Sequence, residues 1–221
     1  MKIKRNLYVI LAVITTAAII SMTGCPGRQK GDKDENPEID ETPVETIKIK
    51  DEEFKIDEIH LDLSNRELTT KDIESLEKFS NLEDLSLENN NIDDISSLKN
   101  CVKLKNLFLT NNSVSDLSPL SEMTNLTILD LDNNKVSDLS PLSGLKNLEL
   151  LYLMNNDVSD VSALSGLIGL RGVDLEYNGL TDVDAFFNME KLEFLYFVSG
   201  NDLPEGKLEE FEAAYPNCKF Y

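Results

Sequence analysis

Few residues of this chain have the types and spacing that catalysis or metal binding requires. The only histidine is His60, and no Ser or Cys stands at a spacing that would make it a hydrolytic nucleophile. The cysteines Cys25, Cys101 and Cys218 form no Cys-x-x-Cys pair, which argues against a zinc site. No pair of acids suits glycoside hydrolysis, and no glycine-rich loop suits phosphate binding. The sequence therefore predicts no enzymatic activity, no cofactor and no metal.

The charge of the chain narrows the classes of partner. The 221 residues include 41 Asp and Glu against 21 Lys and Arg, which gives a formal net charge of −20. A surface this negative repels phosphate backbones and anionic lipid headgroups. We therefore expect no nucleic-acid partner, and any membrane attachment must come from something other than charge.

The N-terminal residues predict export and anchoring. Three positive charges precede the apolar run 7–20, which is the layout of a secretory signal, and residues 1–24 are assigned to it. The ending Met22-Thr23-Gly24-Cys25 resembles the lipobox of bacterial lipoproteins, except that Met22 stands where Leu is commonest. This resemblance implies that Cys25 is acylated and that the protein is anchored, outside the cytoplasm, to a bacterial membrane or cell surface. A plain secretory signal is the alternative.

Residues 25–46 combine the cysteine with a segment rich in Gly, Pro and charge that has almost no large apolar side chain. Such a composition predicts a flexible tether, because it buries too little surface to offset its ordering entropy.

The strongest pattern in the sequence is a 22-residue repeat. The unit that begins at Leu126 has Leu, Leu, Leu, Asn, Val and Leu at offsets 0, 3, 5, 8, 10 and 13, and the unit at Leu104 has the same residues. This is the pattern of leucine-rich repeats. Leucine recurs every 22 residues at Leu82, Leu104, Leu126, Leu148, Leu170 and Leu192.

Segments 114–126 (VSDLSPLSEMTNL) and 136–148 (VSDLSPLSGLKNL) resemble the 22-residue repeats of the internalin family of bacterial surface proteins. The resemblance covers about residues 59–200. It implies an α/β leucine-rich-repeat solenoid with one short parallel strand per repeat on the concave face and loops or 3-10 turns on the convex face. It also suggests adhesion to proteins, although the larger members of that family carry domains that are not found in this chain.

Each fixed position of the repeat has a physical reason. The recurring Asn is expected to satisfy turn backbone groups, and the recurring Asp is expected to cap local turns and not to bind calcium. Ser118 and Ser140 are expected to act as N-caps before Pro at the first helical position. Cys101 stands where other repeats have Leu or Met, so it is expected to be buried and unreactive, and distant from Cys218.

Both ends of a solenoid expose its core and need caps. Residues 47–204 are assigned to an N-terminal cap and the repeats, with a first strand near 59–63. Residues 205–221 are assigned to a C-terminal cap with a helix over 205–215 and a closing strand over 216–221. The Asn ladder is expected to fail at Gly200.

The candidate binding site is the concave face, where strand side chains point away from the core. Apolar and aromatic residues there have no evident folding role, and acids are interleaved with them, which favours a basic or mixed-charge protein partner of a monomer. Alternatives are carbohydrate binding, a structural envelope role, or side chains that merely pack along the sheet. The candidate residues are Phe108, Ile128, Asp130, Asp132, Leu150, Tyr152, Met154, Asp174, Glu176, Tyr177, Phe194, Tyr196 and Val198.

Overall fold

The computed structural model describes residues 44–220. The predicted signal peptide, the lipidation candidate Cys25 and the tether as far as residue 43 lie outside the described residues. Within residues 44–220, no helix is both long enough and apolar enough to cross a membrane.

An antiparallel hairpin precedes the repeats. Strand β1 (Thr46–Ile49) pairs with β2 (Glu52–Lys55), and the turn between them has Lys50 in the left-handed region with φ 56°. Alternate residues of β1 are buried, so Ile47 and Ile49 join the hydrophobic core while their neighbours face solvent. The hairpin therefore covers the first end of the repeat core, and it begins one residue inside the segment predicted as tether.

Eight short strands form one parallel sheet within the described residues, in simple sequence order. Each strand pairs in register with the strand of the next repeat, so residues one repeat apart lie side by side. This is the predicted leucine-rich-repeat fold, with strands that alternate with 3-10 turns. The strands are β3 (His60–Asp62), β4 (Asp84–Ser86), β5 (Asn106–Phe108), β6 (Ile128–Asp130), β7 (Leu150–Tyr152), β8 (Gly172–Asp174), β9 (Phe194–Tyr196) and β10 (Lys219–Phe220).

The repeat leucines point into the core, as the period predicts. Leu126, Leu129 and Leu131 are completely buried, and the equivalent residues of the neighbouring repeats are buried as well. Cys101 is also completely buried, at the position that Met123 fills in the next repeat. Burial raises the pKa of its thiol to about 11, which leaves it protonated and unreactive near neutral pH. Cys101 and Cys218 are free thiols.

On the far side of each repeat the chain returns through a 3-10 helix. The Asp ladder caps these turns, because each carboxylate accepts a hydrogen bond from the backbone N–H two residues later, at 2.8 Å from Ser118 to Asp116 and from Ser140 to Asp138. The expectation that these serines are N-caps was wrong, since each is the first residue of its helix. The helices are Thr70–Lys78, Ser96–Asn100, Ser118–Leu120, Ser140–Leu142, Ser162–Leu164 and Asp184–Phe186.

The Asn ladder joins adjacent repeats where the chain leaves the strand. In Asn134, Nδ2 donates to the carbonyls of Leu109 and Leu131 at 2.9 and 3.0 Å, and Oδ1 accepts from the Val114 N–H at 2.9 Å. The ladder does not fail at Gly200. Asn201 continues it one residue late, with bonds to Leu175, Phe197 and Leu180.

The C-terminal cap closes the other end with aromatic side chains. Helix α1 (Lys207–Ala214) buries Phe211 against the core, and its ring stacks on Phe187 at a centroid distance of 4.2 Å. Tyr215 Oη donates to the Phe186 carbonyl at 3.0 Å, and β10 pairs with β9 as the last strand of the sheet. The helix and the strand lie within the segments where the sequence predicts them.

Candidate functional site

The sheet face is the surface made by strand side chains that point away from the core. Its two columns run across the sheet, one from the first residue of each strand and one from the third. The first column holds His60, Asp84, Asn106, Ile128, Leu150, Gly172, Phe194 and Lys219. The second column holds Asp62, Ser86, Phe108, Asp130, Tyr152, Asp174 and Tyr196.

The first column begins with a polar network. His60 Nδ1 is hydrogen-bonded to Asp84 Oδ2, and Asn106 Nδ2 donates to the other oxygen of the same carboxylate. Asn106 Oδ1 in turn accepts a hydrogen bond from Thr127 Oγ1 at 3.2 Å. Because these groups form hydrogen bonds with one another across adjacent strands, the N-terminal half of the first column stabilises the pairing of the strands.

The second column is more buried than the alternation predicts. Three of its candidate residues, and Asp132 two residues after the end of β6, are almost completely buried although they were expected on an open surface: their exposed fractions are 1% for Phe108, 5% for Asp130, and 2% for Asp132 and Asp174. The physical reason is that parallel strands lie only about 4.8 Å apart, so neighbouring side chains cover one another. Contrary to the prediction, these four residues do not form an open contact surface. They pack beneath the neighbouring side chains of the sheet face instead.

The buried carboxylates are held by hydrogen bonds. Asp130 Oδ1 accepts from Thr110 Oγ1 at 2.6 Å and from the Asp132 N–H at 3.0 Å. Asp132 Oδ1 accepts from the Met154 N–H at 2.8 Å. Backbone N–H groups that would be unpaired at the strand ends thus compensate the burial of charge.

The negative charge of this region acts on a neighbouring acid. Burial, followed by repulsion from Asp130, raises the pKa of the Glu88 carboxyl, and a hydrogen bond from Ser86 Oγ at 3.3 Å opposes the shift only in part. A carboxylate with a raised pKa is in an environment that disfavours its ionised form. Positive charge brought close to the sheet face would therefore relieve this cost.

An aromatic cluster occupies the C-terminal half of the sheet face. The rings of Tyr152 and Phe194 stack with centroids 6.3 Å apart, and those of Phe194 and Tyr196 are tilted at 5.1 Å. We call these three residues the aromatic site. All three are half-buried, so part of each ring is open to solvent. The apolar residues Ile128 and Leu150 continue this surface in the first column and are also half-buried.

Gly172 sets the position of the Phe194 ring. A Cβ at residue 172 would lie 2.0 Å from Phe194 Cζ and 2.2 Å from Cε1, which no real side chain tolerates. The ring therefore lies across the backbone of β8, directed towards Tyr152 on β7. Sequence reasoning did not select Gly172, although it is the only glycine of the first column.

A second exposed group borders the aromatic site at the end of the strands. Tyr177 is 55% exposed and Val198 is 43% exposed, while Met154 and Glu176 are half-buried. Tyr177 has φ 54°, in the left-handed region. The four preceding repeats place Asn there with φ between 55° and 56°, at Asn89, Asn111, Asn133 and Asn155.

Charged side chains also pair along the start of the strands. Arg171 donates to Glu193 Oε1 at 2.6 Å and to Glu149 Oε2 at 3.4 Å, and these two acids raise the pKa of its guanidinium. Lys105 pairs with Glu83 at 2.7 Å. In the part of the chain that the structure describes, no group of three or more His, Cys, Asp or Glu side chains is arranged to hold a metal ion.

The comparisons with known proteins agree with this geometry. The family model for leucine-rich repeats in two copies matches residues 102–144 and 124–168. Among solved structures, the chain is similar to an internalin (inlF) from Listeria monocytogenes, with 34% identity and a TM-score of 0.62. That match covers 67% of this chain and 43% of the internalin, so the chain spans less than half the length of that structure.

Two further structures are similar to the chain. An internalin C2 (inlC2) from Listeria monocytogenes is 29% identical with a TM-score of 0.66, and the match covers 73% of this chain and 69% of the internalin. A leucine-rich-repeat protein of Leptospira interrogans shares the fold at 18% identity and a TM-score of 0.57, over 67% of this chain and 45% of its own length. No curated protein matches the chain. The chain has a leucine-rich-repeat fold that is structurally similar to the internalins of Listeria.

Proposed function

We propose that this chain is a protein–protein interaction module of a bacterial cell surface, which recognises its partner through the sheet face. The observation that carries the proposal is the aromatic site, where three half-exposed rings cluster outside the hydrophobic core. Leucine-rich repeats of the internalin type suggest a protein-interaction role, and their fold is typically non-enzymatic. Aromatic anchors beside a charged rim are the composition of binding hot spots.

The partner presents a basic or mixed-charge surface to the sheet face. The chain has a net charge of −20, and four acids of the candidate set lie on or beside the aromatic site. Opposite charge on the partner accelerates association and lowers the cost of leaving buried carboxylates ionised. The same charge disfavours nucleic acid. We propose a monomer that needs no cofactor or metal.

The resemblance of residues 22–25 to a lipobox supports attachment through an acylated Cys25, with residues 26–46 as a tether. Metabolic labelling with an alkyne-tagged fatty acid is expected to mark the natural protein and not the Cys25→Ala variant. A natural protein without label, or a Cys25→Ala variant that is labelled equally, would contradict lipid anchoring at Cys25.

Site-specific photo-cross-linking tests the binding surface. A photoreactive phenylalanine analogue in place of Tyr196 or Val198 is expected to cross-link one partner protein, mapped by mass spectrometry to a basic segment. The same analogue at Ile168, which is 68% exposed and lies outside the sheet face, is the matched control and should not capture it. Equal capture at all three positions would contradict the proposed surface. Binding on a glycan array without protein capture would favour carbohydrate recognition, the alternative function.

A further inference from the structure

We propose that the aromatic site receives an arginine side chain of the partner protein, and that Gly172 is the positioning residue that makes this possible. The inference rests on the proposed function and gives the chemistry of the recognised group. It is carried by three observations: the ring that crosses Gly172, the contiguous rings on either side, and the acids Asp174 and Glu176 beside them.

The first step concerns the floor of the site. Phe194 and Gly172 are register partners on adjacent strands, and the Phe194 ring occupies the volume that any side chain at 172 would need. Every other first-column residue has a Cβ that would keep a neighbouring ring upright. The missing Cβ at 172 thus allows the Phe194 ring to pack over the backbone of β8 and stack with Tyr152 on β7.

The second step concerns the shape that results. Tyr152, Asp174 and Tyr196 are successive register partners in the second column, so the two tyrosines flank the strand that Phe194 covers. The three rings form one continuous surface with centroid separations of 5.1 and 6.3 Å. A flat group can stack on such a surface, and the π-faces attract positive charge.

The third step concerns charge. Asp174 lies between Tyr152 and Tyr196 in the second column and is buried, and Glu176 lies two residues after the end of β8 and is half-buried. No Lys or Arg occupies the sheet face from β6 to β9, and Arg171 beside it is held by Glu149 and Glu193. Lys219 on β10, the register partner of Phe194, is exposed at the edge of the site. A guanidinium suits this setting better than an ammonium, because it stacks on aromatic faces, is weakly hydrated and pairs with carboxylates in a planar fork.

The probe for the test is N-acetyl-arginine amide, titrated into the full-length protein with ring-labelled Tyr and Phe and followed by NMR. Saturable shifts are expected at Tyr152, Phe194 and Tyr196. The neutral isostere N-acetyl-citrulline amide should bind more weakly by about fivefold or more, the difference that a cation–π contact makes. Equal shifts with citrulline, or with N-acetyl-lysine amide, would contradict arginine recognition.

The role of Gly172 is tested with matched glycine variants. Gly172→Ala is expected to displace the Phe194 ring, abolish its contact with Tyr152 in the NMR spectrum and weaken arginine binding by about fivefold or more. Gly144→Ala is the control, because its Cβ would meet only the Ser121 carbonyl, at 3.9 Å. If Gly172→Ala misfolds, Phe194→Leu removes the ring directly and should weaken binding to the same degree. Undiminished binding by either Gly172→Ala or Phe194→Leu would overturn the assignment.

The outcomes separate this inference from the proposed function. Cross-linking to a partner through the sheet face without arginine binding would refute the arginine site and leave the interaction module standing. Failure of both experiments would refute both.

Discussion

The two halves of the sheet face share one backbone and differ in what their side chains do. From β3 to β5 the outward side chains pair with each other, as in the His60–Asp84–Asn106 network, or are buried, as is Phe108. From β7 to β9 they leave rings partly open, at Tyr152 and Phe194 among others. The comparison shows that an outward position in a short-stranded parallel sheet can serve either stability or recognition, depending on its neighbours.

The largest expected effect concerns the scaffold that both halves share. Asn134→Ala removes three bonds donated to the carbonyls of Leu109, Leu131 and Asp132 and one accepted from the Val114 N–H, all of them buried. We expect the free energy of unfolding to fall by ~3–5 kcal/mol, since several buried backbone groups lose their partners. Urea denaturation followed by circular dichroism measures the loss.

Asn147→Ala is the control for this prediction. Asn147 is exposed, and its Nδ2 donates a hydrogen bond to the Thr124 carbonyl of the preceding repeat at 2.8 Å. Its loss should cost roughly 1 kcal/mol or less. Similar losses for the two variants would mean that the Asn ladder does not join the repeats as described.

A pair of phenylalanine variants tests the difference between the halves directly. Phe108→Ala is expected to lower the free energy of unfolding by ~3 kcal/mol, because a buried ring is removed, and to leave arginine binding unchanged. Phe194→Ala is expected to cost about 1 kcal/mol, because the ring is only half-buried, and to weaken arginine binding by about fivefold or more. Denaturation and NMR titration of both variants give the four values. Equal effects on stability and binding would erase the distinction between the halves.

A substitution at Tyr177 is expected to change stability and partner binding of the C-terminal half of the sheet face in opposite directions. Tyr177→Asn places at φ 54° the residue type that four preceding repeats use there. We expect the free energy of unfolding to rise by ~1 kcal/mol, because the left-handed conformation disfavours a bulky side chain. Partner binding should weaken, because the exposed ring is lost. The reverse change, Asn155→Tyr, should destabilise the protein, and a thermal melt of each variant decides the sign.

The smallest expected effect is a pH-dependent change in stability caused by Glu88, in the N-terminal half of the sheet. The pKa of Glu88 is raised above 4.5 in the folded protein, so ionised Glu88 lowers stability above that folded pKa, and the penalty disappears as the pH falls below 4.5. Glu88→Gln should therefore raise the melting temperature by ~1–2 °C at about pH 7 and have little effect at about pH 3.5. The exposed Glu122→Gln variant is the control, and a gain for Glu88→Gln that did not depend on pH would contradict this explanation.

Most of the fold could be predicted from the spacing of residues. The offsets of Leu and Asn define the strand register and the hydrogen bonds between repeats, because each repeat contacts its neighbours in the same way. Where the spacing slips by one residue, as at Gly200, the pattern alone suggested that the ladder ended, although Asn201 makes the same bonds. The hairpin of β1 and β2 has no repeat to reveal it.

The candidate site was harder to predict, because alternation gives the direction of a side chain and not its exposure. Asp130 and Asp174 point away from the core and are buried nonetheless, since burial depends on the neighbours one strand away. Gly172 was overlooked for the opposite reason. A residue without a side chain offers no contact of its own, and its effect becomes visible only when the ring of Phe194 is placed.

Because every strand pairs in the same register, the distance between two sites on the sheet face is set by the number of strands between them. Segments 114–121 and 136–143 have the same eight residues, VSDLSPLS, and each belongs to a unit of 22. Deleting one such unit would preserve the turn chemistry and every type of inter-repeat bond. It would bring the polar network and the aromatic site one strand closer, by about 4.8 Å. The length of the partner segment that spans these two sites can therefore change in fixed increments while the core stays the same.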